Sequence, residues 1–125
     1  GSITGTTYTP ADVTSNTDVT VRYTMAANGS CAATTADVTF TVNSNPGAAV
    51  NTTANGAICE DDTKTLVGSP VGGTWSIVSG GGSITGTTYT PADVTSNTDV
   101  TVRYTMAANG SCAATTADVT FTVNS

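Results

Sequence analysis

Hydrophobic and polar residues alternate one by one over two stretches near the end of the chain, 99–106 and 118–124. Successive side chains of a β-strand point to opposite faces, so this pattern predicts two strands that each have one apolar face. Trp75 lies on a further predicted strand with the same alternation. The predicted core consists of Trp75, Val100, Val102, Tyr104, Val119, Phe121 and Val123.

An internal repeat defines the domain organisation. Residues 1–44 and 82–125 match at every position, with an offset of 81 residues. The chain therefore contains the C-terminal part of one repeat, 1–44, followed by one complete 81-residue repeat, 45–125. A period of this length suits a small domain with its own core. We expect an array of such domains, with Gly before residue 1 and Asn-Pro-Gly after residue 125.

Shorter strands are predicted at 48–52, 63–67 and 83–89, with a glycine-rich turn at 79–82. The Asn109-Gly110 step favours the backbone angles of a tight hairpin between the two long strands. No stretch has helical periodicity. Six or seven short antiparallel strands per repeat predict an all-β fold, an immunoglobulin-like antiparallel β-sandwich repeated in tandem.

The incomplete repeat is expected to leave its apolar face uncovered. Residues 1–44 hold only the later strands of a repeat, so the partners of Val19, Val21, Tyr23, Val38 and Phe40 are missing. Exposed apolar faces and open strand edges are unfavourable in water. We therefore expect that an upstream repeat or a neighbouring chain completes this part.

Composition and charge exclude several classes of function. The net charge is −6, with three basic residues and no histidine, so the basic footprint of a nucleic-acid-binding protein is absent. Threonine, with 29 of 125 residues, favours strands. No apolar run is long enough to insert this segment into a membrane. Without a histidine for a triad or a phosphate-cradling loop, we expect no enzyme, no catalytic residues and no cofactor.

The cysteine count predicts an oxidised extracellular domain. Each full period holds two cysteines, Cys59 and Cys112, while Cys31 is the copy of Cys112 in the incomplete repeat. We expect a disulfide between Cys59 and Cys112, with Cys31 paired to a cysteine of the upstream repeat. Closing this loop would stabilise the domain by roughly 4 kcal/mol. The alternative is that Cys59 pairs with the cysteine of the next repeat and cross-links the array end to end.

Other candidate sites have simpler interpretations. The acidic run Glu60, Asp61 and Asp62 and the loop 93–99 are weak calcium candidates, because neither has the regular spacing of a calcium loop. We expect no metal and interpret both as solvated turns. Lys64 is expected to be an ordinary exposed lysine, and the threonine-rich stretch 4–9 an ordinary strand surface, in preference to a site for an ice or carbohydrate ligand.

The order of several short motifs resembles a known group of repeats. They are ICEDD at 58–62, GGTWS at 72–76, YTP at 89–91, VRYT at 102–105 and NGSC at 109–112. Together they resemble the immunoglobulin-like or PKD-like tandem repeats of giant cell-surface proteins of Bacteroidota, including gliding-motility adhesins. The resemblance covers the whole 81-residue unit and implies a secreted, cell-surface location.

Two functions remain open. The first is a structural repeat of an extracellular stalk or filament in a large bacterial cell-surface adhesin. Its partners would be the adjacent identical repeats, with lateral association between chains left open. The second is a ligand-binding adhesin module, for carbohydrate or surfaces, that acts through multivalency. The alternation assigns most aromatic residues to the core, which favours the structural function.

Overall fold

A computed structural model describes all 125 residues and shows an all-β molecule without helices. A helix suited to crossing a lipid bilayer is therefore not found. The strands are β1 (Ser2–Thr4), β2 (Thr7–Thr9), β3 (Thr17–Met25), β4 (Thr34–Val42), β5 (Val50–Asn51), β6 (Ile58–Cys59), β7 (Lys64–Thr65), β8 (Gly68–Ser69), β9 (Thr74–Ser79), β10 (Ser83–Thr85), β11 (Thr88–Thr90), β12 (Thr98–Met106) and β13 (Thr115–Asn124).

The chain divides into two compact units. The first contains Gly1–Asn45 together with Gly110–Cys112, and the second contains Pro46–Asn109 and Ala113–Ser125. The division after Asn45 lies one residue from the predicted start of the complete repeat. The second unit therefore holds nearly all of one 81-residue period.

The largest sheet of the second unit has the strand order β6-β13-β12-β9. β12 and β13 form a long antiparallel hairpin whose register runs from Thr98 opposite Val123 to Met106 opposite Thr115. β9 pairs antiparallel with the free edge of β12, with an irregularity in register between Thr101 and Val102. β6 pairs with β13 in the parallel direction. The alternating valines and threonines of the hairpin give it one apolar and one polar face.

Two smaller sheets complete the second unit. One has the order β10-β11-β7, and the other pairs β5 with β8. The ring of Tyr89 on β11 meets the ring of Phe121 on β13 edge to face, with a centroid distance of 5.3 Å. The buried core consists of Leu66, Tyr89, Val100, Val102, Phe121 and Val123. The core thus joins the three-stranded and four-stranded sheets.

The first unit repeats the hairpins of the second. β1 pairs with β2, and β3 pairs with β4, each in the register of its copy, β10–β11 or β12–β13. Tyr8 and Phe40 even keep the edge-to-face ring contact, with a centroid distance of 5.4 Å. Identical sequence therefore yields identical local pairing in both units.

Some predicted strands differ from the structure. The strand predicted over 83–89 is wrong, because Gly86 adopts a positive φ of 61° and turns the chain into the β10–β11 hairpin. The tight turn predicted at the Asn109-Gly110 step is present, since Gly110 adopts a positive φ of 55° and the copy of this turn closes with two hydrogen bonds between Asn28 and Cys31. Regular strand pairing stops short of the turn, at Met106 and Thr115. β6 and β8, of two residues each, had no recognisable alternation because they are too short to show one.

Candidate functional site

The candidate site is the apolar surface of the long hairpin in each unit. In the second unit we call it the β12–β13 face, formed by Val100, Val102, Tyr104, Met106, Val119, Phe121 and Val123. In the first unit we call its copy the β3–β4 face, formed by Val19, Val21, Tyr23, Met25, Val38, Phe40 and Val42. The two faces have the same residues in the same register.

The β12–β13 face is almost completely closed. Val100, Val102 and Val123 are fully buried, and Tyr104 keeps only 4% of its surface exposed. Val119 and Trp75 are partly buried and pack against the same cluster. All the residues of the predicted core therefore lie in or against the observed one. Burial of each large apolar side chain stabilises a fold by roughly 1.5–3 kcal/mol.

The segment 45–81 covers the β12–β13 face. Its strand β9 extends the sheet by placing Trp75 opposite Tyr104 and Ile77 opposite Val102. Its strand β6 extends the other edge, with Ile58 opposite Val123. The segment thus closes both edges of the hairpin as well as its apolar surface.

Tyr104 occupies a seat made of backbone and glycine. A side chain at Gly68 or Gly73 would overlap its ring, since a Cβ atom there would lie 2.8 Å or 2.3 Å from ring atoms. Trp75 packs beside it with a ring centroid distance of 4.8 Å. The Tyr104 hydroxyl accepts a hydrogen bond from Gly73 N at 2.9 Å and donates one to the carbonyl oxygen of Pro70. The seat therefore fits tyrosine in both shape and hydrogen bonding.

Two polar side chains of the same segment bind backbone groups of residues 82–125. Asn51 Nδ2 donates to the carbonyl oxygens of Val102 at 3.2 Å and Ala117 at 3.3 Å. Glu60 Oε2 accepts a hydrogen bond from Val94 N at 2.7 Å. These hydrogen bonds, together with the apolar contacts, hold the segment 45–81 against residues 82–125. Sequence reasoning did not identify Asn51 in this role, and no local pattern marks it.

Lys64 is buried, which corrects the expectation of an exposed lysine. Only 8% of its surface is exposed, because its register opposite Tyr89 turns its side chain inward. Its Nζ donates to the carbonyl oxygen of Gly56 at 2.8 Å and lies 4.7 Å from the centroid of the Phe121 ring. Burial lowers the pKa of Lys64, since desolvation disfavours the ammonium form. No carboxylate forms a salt bridge with it.

The β3–β4 face has no such cover. Tyr23 exposes 71% of its surface, Met25 57% and Phe40 37%, compared with 4%, 8% and 2% for Tyr104, Met106 and Phe121. The apolar face expected from the missing partner strands is therefore present in the first unit. Hairpin formation alone does not bury it.

The expected disulfide between Cys59 and Cys112 is not formed. All three cysteines are free. Cys59 lies opposite Asn124 at the end of β13, while Cys112 belongs to the loop that precedes Thr115 at its start. The ten residues of β13 separate the two by roughly 30 Å, and a disulfide requires Cα atoms within about 7 Å. The partner expected for Cys31 belongs to an upstream repeat, so that pairing stays a prediction.

The acidic run Glu60, Asp61 and Asp62 takes part in local backbone contacts. The carboxylate of Glu60 is engaged by Val94 N, and Asp62 N donates to the carbonyl oxygen of Cys59 in a turn. No group of three or more histidine, cysteine, aspartate or glutamate side chains is arranged to hold a metal ion. Glu60 thus has a structural role, as a cap for the backbone at 94.

The outward faces carry paired polar side chains. Thr101 and Thr120 share a hydrogen bond of 2.7 Å across the strands. Arg103 binds Asp118 through two hydrogen bonds of 2.8 and 2.9 Å, which lowers the pKa of Asp118. The threonine-rich stretch 4–9 belongs to a hairpin that turns at Gly5 and places Thr4 opposite Thr7.

No known protein family, curated protein or solved structure matches the chain.

Proposed function

We propose that this chain is part of a structural stalk or filament of a large bacterial cell-surface adhesin, built from tandem 81-residue units. Each unit would be an immunoglobulin-like β-sandwich whose two layers are the four-stranded and the three-stranded sheets. In this proposal the chain has no catalytic activity, cofactor or nucleic-acid partner, and its partners are the adjacent identical repeats.

The observation that carries the proposal is the position of the chain ends in the complete unit. Thr115 Oγ1, at the start of β13, accepts from Ala49 N at 2.9 Å and donates to the carbonyl oxygen of Gly47 at 2.8 Å. Ser125, at the other end of β13, donates from its backbone N to Asn97 Oδ1 at 3.3 Å. The chain therefore enters and leaves the unit roughly 30 Å apart. Units joined in this way add length with every repeat.

The composition of the surface supports the same function. The outward strand positions carry threonines and ion pairs, while the aromatic residues Trp75, Tyr89 and Phe121 are used in the core or pack against it. A net charge of −6 favours solubility and disfavours aggregation of neighbouring repeats. The repeated sequence suits a protein selected for length.

The free cysteines lie at opposite ends of β13, which favours the end-to-end alternative over a staple within the repeat. A link from Cys59 to the cysteine of a following repeat stays a prediction. Non-reducing peptide mapping of a protein with several repeats would reveal it as one cross-linked pair per junction. Free thiols throughout would leave the array without covalent links.

The length of multi-repeat proteins tests the proposed function. Proteins with two, four and eight copies of residues 45–125 are compared by electron microscopy and small-angle X-ray scattering. We expect the long dimension to grow by a constant increment, about 30 Å or more for each added repeat.

A maximum dimension that grows only as the square root of the repeat number would indicate flexible beads and overturn the stalk. Protease treatment of intact producing cells tests the location, because an extracellular array would be cleaved without lysis. A protein that is protected until the cells are lysed would contradict a cell-surface position.

A further inference from the structure

The exposed apolar surface of the first unit is a copy of the surface that residues 45–81 cover in the second. We propose that the β3–β4 face is a docking surface for a segment with the sequence of residues 45–81, supplied by the N-terminal part of the same repeat, ahead of Gly1 in the polypeptide. The proposal rests on the tandem arrangement proposed above and adds which segment binds, which edges it uses and which side chains recognise it.

The first argument is the identity of the two faces. The β3–β4 face and the β12–β13 face have the same residues and the same strand register. Only the second is covered, and residues 45–81 supply its cover. Because the first face offers the same shape and the same open edges, the same sequence is complementary to it.

The second argument concerns the strand edges. In the docked state β9 of the added segment would lie along β3, with its Trp75 opposite Tyr23 and its Ile77 opposite Val21, as in the register with β12. A copy of β6 would lie along β4, with Ile58 opposite Val42. Unpaired edges attract further strands, so these two pairings would remove the edges from solvent.

The third argument is specific recognition. The glycine-lined seat at Gly68 and Gly73 would receive the ring of Tyr23, which now has 71% of its surface exposed. Asn51 would donate to the carbonyl oxygens of Val21 and Ala36, the copies of Val102 and Ala117. A second β3–β4 face would offer apolar contact but has no glycine seat, which argues against pairing of two such faces.

An extended chain, in which residues 45–81 are joined ahead of Gly1, tests the proposal directly. The original chain has one tryptophan, and the extended chain has two. With both labelled as 5-fluorotryptophan, we expect the added resonance in the fluorine NMR spectrum to fall beside that of Trp75. Amides at the edges of β3 and β4 should also exchange at least about tenfold more slowly than in the original chain.

Matched variants identify the surface. Val21→Asp places a charge on the β3–β4 face and should move the added resonance to the random-coil position. Thr24→Asp adds the same charge on the opposite face of β3 and should leave it unchanged. Gly73→Val in the added segment only should also release it, because its side chain would overlap the Tyr23 ring. In every variant the original Trp75 resonance reports whether the second unit is folded.

A random-coil position of the added tryptophan in the unaltered extended chain would overturn the proposal, as would a docked position that persists in Val21→Asp. Dimerisation of the original chain that Val21→Asp abolishes, with the added segment still undocked, would assign the face to a second copy instead. Complete repeats can still add constant length if docking fails here. The docking proposal can therefore be overturned while the stalk proposal still stands.

Discussion

The first and last 44 residues of this chain have one sequence and two environments. Tyr23 exposes 71% of its surface and Tyr104 only 4%, although both lie at the same place in the same hairpin. Local pairing is the same in both copies, so strand formation does not require burial of the apolar face. What differs is the presence of the segment 45–81. A complete core is therefore a property of the 81-residue period and not of the hairpin.

The largest loss of stability is expected when the buried tyrosine, Tyr104, is truncated. Tyr104→Ala should lower the free energy of unfolding by about 3–5 kcal/mol, since it removes a buried ring and its two hydrogen bonds. Tyr23→Ala, the same change in the exposed copy, should alter it by less than about 0.5 kcal/mol. Calorimetric unfolding of both variants measures the difference. Equal effects would show that the two copies have the same environment in solution.

A smaller effect is expected at the seat of the tyrosine. Gly73→Ala should destabilise the chain by about 1–3 kcal/mol, because the added Cβ would lie 2.3 Å from the Tyr104 ring. Gly56→Ala is the matched control, since a Cβ there meets no atom within 4 Å. Urea unfolding followed by Trp75 fluorescence compares them. If Gly73→Ala were as stable as Gly56→Ala, the close fit of glycine against the Tyr104 ring would not be needed for the covered β12–β13 face.

Buried Lys64 should make the stability of the second unit depend on pH, and the first unit has no copy of this residue. Its folded-state pKa is lowered from 10.5 by desolvation. Between the lowered value and 10.5 the folded chain has lost the proton and the unfolded chain retains it, so stability should rise with pH in this window.

The Lys64→Met variant is the control for this prediction, and it should lack the rise. Burial raises the pKa of Tyr89, which acts in the opposite sense: the unfolded chain loses this proton first, and stability falls as pH rises above 10.0. The wild type and the variant share the Tyr89 effect, so the difference between their pH profiles isolates Lys64. A difference that stays constant from neutral pH to pH 10.5 would contradict the prediction.

The smallest effect is expected where the two copies do not differ. Arg103 and Asp118 form an outward ion pair, and Arg22 and Asp37 repeat it at the same distances within 0.1 Å. Arg103→Met and Arg22→Met should each cause a small loss that added salt reduces. The loss should disappear as pH falls below the lowered pKa of the aspartate. A clearly larger loss for Arg103→Met would show that the covering segment also strengthens the outer face.

Several features of the fold follow from short-range pattern alone. Alternation along 99–106 and 118–124 marked the two long strands and their inward valines, because a strand's side chains alternate between faces wherever it lies. The inward positions of Val100, Val102 and Val123, all fully buried, thus follow from the amino-acid pattern. The turn at Gly86 was not predicted, because this glycine lies within a run of threonines, which favour a strand. No nearby residue indicates that the chain reverses there to pair with itself.

The all-β class, the period of 81 residues and the polar and apolar sides of each long strand could all be predicted from the sequence, since these depend on neighbours along the chain. That the apolar face of the first hairpin is uncovered already followed from its missing partner strands. The tertiary structure decided how residues 45–81 cover the second hairpin, with β9 and β6 on its two edges. It also decided that Lys64 is buried and that Cys59 and Cys112 lie at opposite ends of β13. The physical reason is that burial and distance depend on contacts between residues far apart in sequence, and the segment 45–81 makes those contacts with only one of two identical partners.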